Sequence, residues 1–320
     1  MAGINAQSIK ELRERTQAGM SDCKSALVEA DGDMDKAIEV IIKKGLAKSA
    51  KRAGAVAAEG EVRATVSADK RHATVVEVNI QTDFSARNDA FRDFVGAVLG
   101  VAEKAPLGSD LTTRSLGGAT VGDAAVSLTA KIGEKIAVRR WDRVELPAGM
   151  QGLAHAYVHL GGKIGVALAL ATGTAEAASH PEVTALADDL AMHIAATNPL
   201  VLTRDEVTAD QVEKQKVLFE GQLREDPKPK PEAAWPKIIE GKFNKWYSET
   251  ALLEQESVVT KTDEKGTALP AQKITKLLES AAKAAGTTVS VVRFVRYERG
   301  EGIEKKTDDF AAEVAKMASA

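Results

Sequence analysis

The 320-residue sequence contains one cysteine, Cys23, so neither an intramolecular disulfide nor a cysteine-based metal cluster can form. That economy suits a reducing compartment, and a cytoplasmic location is expected. Aromatic residues make up only 4% of the chain. The core must therefore be built from Ala, Val, Leu and Ile, and any aromatic left at the surface would be unusual. No run of about 18 apolar residues is available to cross a bilayer, and the opening Met-Ala-Gly-Ile-Asn-Ala-Gln-Ser-Ile-Lys lacks the charged-then-apolar pattern of an export signal. No membrane association is expected. Charge of one sign is lacking too: 43 Lys and Arg face 46 Asp and Glu, for a net of −3. Disorder through like-charge repulsion is excluded, and direct binding of nucleic acid is not expected.

Catalytic signatures are also scarce. The sequence holds no GxxxxGK[ST] phosphate loop, no GxGxxG after a strand, and neither HExxH nor GxSxG. Of the five histidines, only His155 and His159 stand four apart. On a helix they could share zinc, but the residues that follow alternate like a strand and offer no third ligand. The carboxylates are scattered, most of them as solvated helix surface, so no acid/base pair can be chosen and no cofactor or metal is implied. An enzyme is not expected.

What is present divides into unlike pieces. Over residues 5–45 apolar side chains recur at helical spacing in three bursts: Ile9 and Leu12; Cys23, Ala26, Leu27 and Ala30; Ala37, Ile38, Ile41 and Ile42. The spacing predicts three helices. Asn5 or Ser8 would cap the first, with Glu11 closing a capping box on Ser8. Gly19 precedes the second, Asp31-Gly32-Asp33 turns the chain, and Gly45 would end the third after Lys43-Lys44. Cys23 falls at a core position, where a buried small hydrophobe is expected. So small a bundle has a thin core and suits docking better than enclosing a reaction.

The period then changes. Val62, Ala64 and Val66 alternate, a turn follows at Ala68-Asp69-Lys70-Arg71, and residues 73–80 are rich in β-branched side chains, which predicts a hairpin. A helix is predicted over 88–104. The order strand then helix returns at 163–171 and 181–196, suggesting a duplicated α+β unit. Residues 205–249 interrupt the second unit with two helical patterns joined through Pro227, Pro229 and Pro231. Such a pair must pack antiparallel as a projecting hairpin. It is rich in aromatics for this chain, with Trp235, Phe243, Trp246 and Tyr247. A helix over 271–285, a strand over 289–297 and an amphipathic helix over 307–319 complete the reading.

One segment carries two readings. Gln81-Thr82-Asp83-Phe84-Ser85 follows a strand and opens a helix, a junction that places side chains at a sheet edge. Thr82 or Asp83 would cap the helix, and Phe84, Phe91 and Phe94 could line one core stripe. Alternatively, Phe84 projects and anchors in a partner's pocket.

Together these segments resemble the elongation factor Ts family. Glu11-Leu12-Arg13-Glu14-Arg15-Thr16, Ala18-Gly19-Met20 and Asp22-Cys23-Lys24 resemble its opening signature, and Gln81-Thr82-Asp83-Phe84 its Thr-Asp-Phe motif. Lys131-Ile132-Gly133-Glu134 with Arg139-Arg140, Tyr157-Val158-His159 with Lys163-Ile164-Gly165-Val166, and the stretch from Arg299 to Val314 complete the similarity. The chain departs from the common pattern at Ser21, which follows Met20, and at Leu160-Gly161-Gly162, one residue longer than usual.

The resemblance implies an α+β fold with a three-helix, ubiquitin-associated-like bundle and linker over 1–55 and a core N-subdomain over 56–143. A core C-subdomain would span 144–204 and 250–304, both halves of this duplicated core carrying antiparallel sheets, with the inserted hairpin over 205–249 and a C-terminal helix over 305–320. It implies a guanine-nucleotide exchange factor whose partner is elongation factor Tu. Asp83 and Phe84, supported by Thr82, would intrude near the partner's magnesium site. Ile132, Gly133 and His159 would lie on the same contact surface, and Leu12, Arg13 and Met20 would belong to the bundle's contact. The hairpin would face another part of the partner or a second copy of the chain, giving a homodimer. The rival expectation is a scaffold that uses bundle and hairpin for docking without exchange activity.

Overall fold

The computed structural model describes residues 4–16, 18–52, 54–228, 230–260, 267 and 269–304. The amphipathic helix expected over 307–319, with Phe310 and Met317, lies outside the described residues.

Three helices open the chain: α1 (Ala6–Thr16), α2 (Met20–Glu29) and α3 (Met34–Arg52). Leu12, Cys23, Ala26, Leu27 and Ala37 are fully buried where they meet, and burial pushes the Cys23 thiol above its ordinary pKa. Asn5 is the residue that caps α1: its side chain accepts from the Ser8 N–H at 2.9 Å while the Ser8 hydroxyl accepts from the Asn5 N–H at 3.0 Å. The box is thus Asn5 with Ser8, and Glu11 instead pairs with Arg15 at 2.7 Å. Asp31 and Gly32 both adopt positive φ in the turn, and the Asp33 carboxylate accepts the first free N–H groups of α3.

Gly45 does not end α3. The helix runs seven residues further, because beyond the bundle it finds a second support in α6 (Val121–Ile132). A Cβ at Gly45 would meet Ala130 at 3.6 Å and Val126 at 3.8 Å, ordinary contact distances. Gly45→Ala is therefore expected to fill space without strain and remove the helix-interior glycine penalty, raising stability by roughly 0.5–1 kcal/mol. Thermal unfolding checks this; a lower midpoint would mean that α3 and α6 are closer than described.

The core is a mixed α+β body of four layers. Strands β1 (Glu59–Val66), β2 (His72–Ile80) and β5 (Ile136–Glu145) form an antiparallel sheet in the order β1-β2-β5. Strands β6 (Gln151–His159), β7 (Ile164–Thr172) and β8 (Val289–Glu298) form a second, ordered β6-β7-β8. Between β2 and β5 come α4 (Asp83–Ala86), α5 (Asp89–Ala102), a two-residue-stranded hairpin of β3 (Ser115–Leu116) and β4 (Ala119–Thr120), and α6. Between β7 and β8 come α7 (Pro181–Thr197), α8 (Ala209–Arg224), α9 (Trp235–Thr250) and α10 (Ile274–Ala285).

Side-chain size along the strands decides which face meets which layer. On β7, Val166, Leu168 and Leu170 pack under α7 and α10, while Ala167 and Ala169 turn to the other sheet. Gly165 continues that small face, and a Cβ there would stand 2.5 Å from Val62 Cγ1. Large residues thus cover the helices and small ones let the sheets close. On β2, Val76, Val78 and Ile80 pack under α5 and α6, while Ala73 and Val75 face the second sheet. Arg143 of β5 donates to the carbonyls of Glu103 at 3.0 Å and Ala105 at 2.8 Å, placing a cation on the C-terminal end of α5 as the helix dipole favours.

The insertion forms an antiparallel helix pair. Thr208 and Gln211 make a reciprocal capping box at the start of α8. Phe243 of α9 stacks edge-on against Phe219 of α8, with centroids 5.2 Å apart, and also meets Trp246 and Tyr247. Phe243, Trp246 and Tyr247 are thereby half-buried along the hairpin.

Candidate functional site

The junction from β2 to α5 excludes the core-stripe reading of Phe84. Phe91 is fully buried and Phe94 nearly so, under sheet one, whereas Phe84 is 84% exposed. Full burial of such a ring is worth about 1.5–3 kcal/mol, and the fold forgoes that at one of only seven phenylalanines. The cause is local. Two helices, not one, follow the strand: the one-turn α4 is capped by Thr82, whose hydroxyl accepts from Ser85 N–H at 3.2 Å, and α5 by Asn88, which accepts from Ala90 N–H at 2.9 Å. The break at Arg87 and Asn88 takes Phe84 out of the α5 stripe and sends it into solvent.

Residues from distant parts of the sequence meet the helical turn that carries the ring. Gly133 ends α6 in the left-handed region, with φ of 86°, and so turns the chain that Ile132 leaves half-buried against the α5–α6 core. The next residue, Glu134, reaches α4: its carboxylate accepts from the Thr82 N–H at 3.0 Å, the Thr82 hydroxyl at 2.8 Å and the Ser85 hydroxyl at 2.6 Å. Asp83 is exposed and pairs with Arg87 at 3.2 Å.

The β6–β7 turn comes to the same edge. Leu160, Gly161 and Gly162 all take positive φ, and the Gly162 carbonyl accepts from Val62 N–H at 2.8 Å, pinning the turn to β1. A Cβ at Gly162 would stand 2.4 Å from Glu61 Cγ, so glycine is required there. Asp83, Arg87, Leu160, Gly161, Lys163 and Arg299 line one shallow cleft. His159 lies at the start of this turn, its Nδ1 2.7 Å from the Tyr157 hydroxyl. His155 and His159 both stand on strand β6, and His155 pairs with Asp188 at 3.0 Å. Among the described residues, no group of three His, Cys, Asp or Glu side chains could hold a metal ion.

The bundle approaches from the other side of α6. Arg15, Thr16, Gly19 and Asp22, at the α1–α2 corner, share a cleft with Ser127 and Lys131 of α6. Arg13 is exposed and Met20 is 59% exposed, so both are free to touch a partner. Leu12 is not: it is fully buried against Cys23 and Leu27, and the expectation that it belongs to a contact surface is corrected to a role in holding the bundle together.

Two members of this surface escaped the sequence reading. Leu160, 68% exposed, had a signal, since an apolar residue before Gly-Gly occupies a turn position that polar residues normally take. Glu134 had only its place after a helix-ending glycine.

An exposed aromatic thus stands on a braced helical turn of an α+β scaffold, beside a strand turn and a helix end. Residues 81–301 match the family described as Elongation factor TS. The chain is 43% identical over 317 residues to elongation factor Ts of Clostridium perfringens strain SM101, covering 98% of this chain and 99% of that protein. It is 44% identical over 319 residues to elongation factor Ts of Symbiobacterium thermophilum, with 99% of each chain covered. The chain belongs to the elongation factor Ts family and is a translation elongation factor.

Proposed function

We propose that the chain is a guanine-nucleotide exchange factor that binds elongation factor Tu in its GDP-bound and nucleotide-free forms and speeds GDP release so that GTP can rebind. The observation that carries this reading is Phe84, a large apolar ring held out in solvent by a braced one-turn helix. A bound guanine nucleotide depends on backbone N–H groups around its phosphates, a lysine and a magnesium ion. A ring wedged between the partner's helices would shift the groups that hold magnesium, and the Asp83 carboxylate beside it would act electrostatically near the cation. No covalent chemistry is required of this chain. It needs only to bind the nucleotide-free partner more tightly than the GDP-bound one, and nucleotide then weakens the factor by the same ratio.

Thr82, Ile132, Gly133 and His159 border the ring in this reading, and Arg13 and Met20 extend the contact onto the bundle. The division into a bundle over 1–55, core halves over 56–143 and over 144–204 with 250–304, and a hairpin over 205–249 belongs to the same reading. The duplication of the core draws support from topology: each half is a strand hairpin, then helices, then a third strand beside the second carrying one bulge. Acting on elongation factor Tu, the chain would work in the cytoplasm. The hairpin serves as a second docking arm toward the partner or a second copy, favoured by exposed Val217 and Leu218 on α8.

Stopped-flow release of fluorescent GDP from elongation factor Tu, at fixed magnesium and rising factor concentration, tests the proposal. The rate is expected to climb with factor and saturate. Binding without acceleration would instead leave a scaffold.

A further inference from the structure

A single helical turn has no cooperative stability of its own, and the exposed Phe84 ring adds no core packing to α4. Something else must hold this segment in one conformation. The Glu134 carboxylate grips it on both sides of Asp83-Phe84. One oxygen accepts the Thr82 N–H, and the other accepts both the Thr82 and Ser85 hydroxyls. Thr82 Oγ1 accepts in turn from Ser85 N–H, which closes a hydrogen-bonded ring around the start of the helix. Glu134 is itself fixed. Gly133 places it by the left-handed end of α6, and on its other side the Lys135 N–H donates to Gln81 Oε1 at 2.8 Å.

We infer that Glu134 is a positioning residue: it clamps Thr82 and Ser85 so that Phe84 is presented to the partner already ordered. The inference rests on the exchange reading for its consequence, although the clamp itself exists in the free protein. Without it, residues 82–86 must be ordered at the moment of binding, a cost that falls on the docking step.

The test combines two readouts on the full chain. In GDP release from elongation factor Tu at subsaturating factor, Glu134→Ala is expected to be slower by on the order of tenfold, while Glu134→Gln, whose amide oxygen accepts from Thr82 N–H and whose amide nitrogen reaches the hydroxyls, recovers most of the rate. Adding Glu134→Ala to Phe84→Ala is expected to change little, because a residue acting through the ring has nothing left to act on. In the free protein, amide hydrogen exchange at Ala86 and Arg87 is expected to quicken in Glu134→Ala and stay slow in Glu134→Gln, with thermal midpoints close to the parent.

The inference is overturned if the two amides are as protected in Glu134→Ala as in the parent. It is also overturned if Glu134→Ala multiplies fully with Phe84→Ala, or if Glu134→Gln is as slow as Glu134→Ala, which would make the charge itself the contact. A parent protein that does not accelerate release overturns the exchange reading instead, and the amide measurement then still decides whether the clamp exists.

Discussion

Phe84→Ala is expected to lower the acceleration of GDP release by about 30-fold while leaving the fold intact. The size follows from what an aromatic anchor contributes when a partner buries it, about 2 kcal/mol or more, at 1.4 kcal/mol for each factor of ten in rate. The intactness follows from exposure. At 84% exposed, the ring makes almost no contact in the free chain, and surface substitutions of that kind stay within about 0.5 kcal/mol. Few substitutions separate activity from stability so cleanly. Phe91→Ala is the control in the opposite sense: that ring is fully buried seven residues on, and its loss should cost the fold about 3–5 kcal/mol. Equal GDP release by Phe84→Ala and parent, with matched thermal unfolding, would remove the ring from the mechanism.

The difference between those two phenylalanines also shows where the sequence was legible. Period-2 alternation in β1 and β7, and the 3.6-residue period in α5, α7 and the two hairpin helices, appear directly in the residue pattern, because β7 sets large side chains toward the helices and small ones toward the other sheet, and each helix turns its apolar stripe inward. What stayed open was Phe84. Its spacing to Phe91 fits one helical stripe, and only the short break capped by Asn88 separates them. The strand β5 was hidden for a different reason. Ile136 to Glu145 carries Arg139, Arg140 and Arg143, which read as solvated surface, yet their guanidinium groups find carboxylate and carbonyl partners from β2, the end of α5 and the turn after β8. Sequence pattern reports solvent preference, and an arginine satisfied across the fold by a residue more than sixty positions away leaves no periodic trace. Gly45 misled in the same manner, since its role as a stop depended on nothing else supporting the helix beyond it. The site suffers most from this limit, being assembled from Thr82, Gly133, Glu134 and Leu160 by contacts that no spacing encodes.

Glu77 carries a large expected effect on stability and on its dependence on pH. It is fully buried on β2, at the face between the two sheets, and accepts from Asn79 Nδ2 at 3.0 Å, Arg139 at 2.9 Å, Arg140 at 2.6 Å and the Gly300 N–H at 2.7 Å. Consecutive strand residues ordinarily face opposite ways. The bulge opposite Glu77 and Val78 lets both arginines point at one carboxylate. Those arginines also hold the turn after β8: Arg139 donates to the Glu301 carbonyl, and Arg140 donates to the Glu298 carbonyl at 3.0 Å and pairs with the Glu301 carboxylate at 3.1 Å. One carboxylate thus ties sheet one to the end of sheet two. Glu77→Ala removes the carboxylate that two partly buried cations share and the acceptor of the Gly300 N–H, and breaking such a buried pair costs about 3–5 kcal/mol. Each arginine keeps roughly a quarter of its side chain in solvent, so the lower end applies, about 3 kcal/mol, or roughly 4–6 °C in the unfolding midpoint of a chain this long. Burial alone would raise the carboxyl's pKa, but the Gly300, Asn79, Arg139 and Arg140 hydrogen bonds together outweigh it and hold the group below its ordinary 4.5. A depressed folded-state pKa contributes stability that is fully present above 4.5 and is lost as pH falls through the folded value. The gap between parent and Glu77→Gln is therefore expected to be constant near neutrality and to narrow only in acid. Urea unfolding at pH 7 and at successively lower pH measures it; a gap that stays the same into strong acid would mean that the carboxylate's charge contributes nothing to the tie.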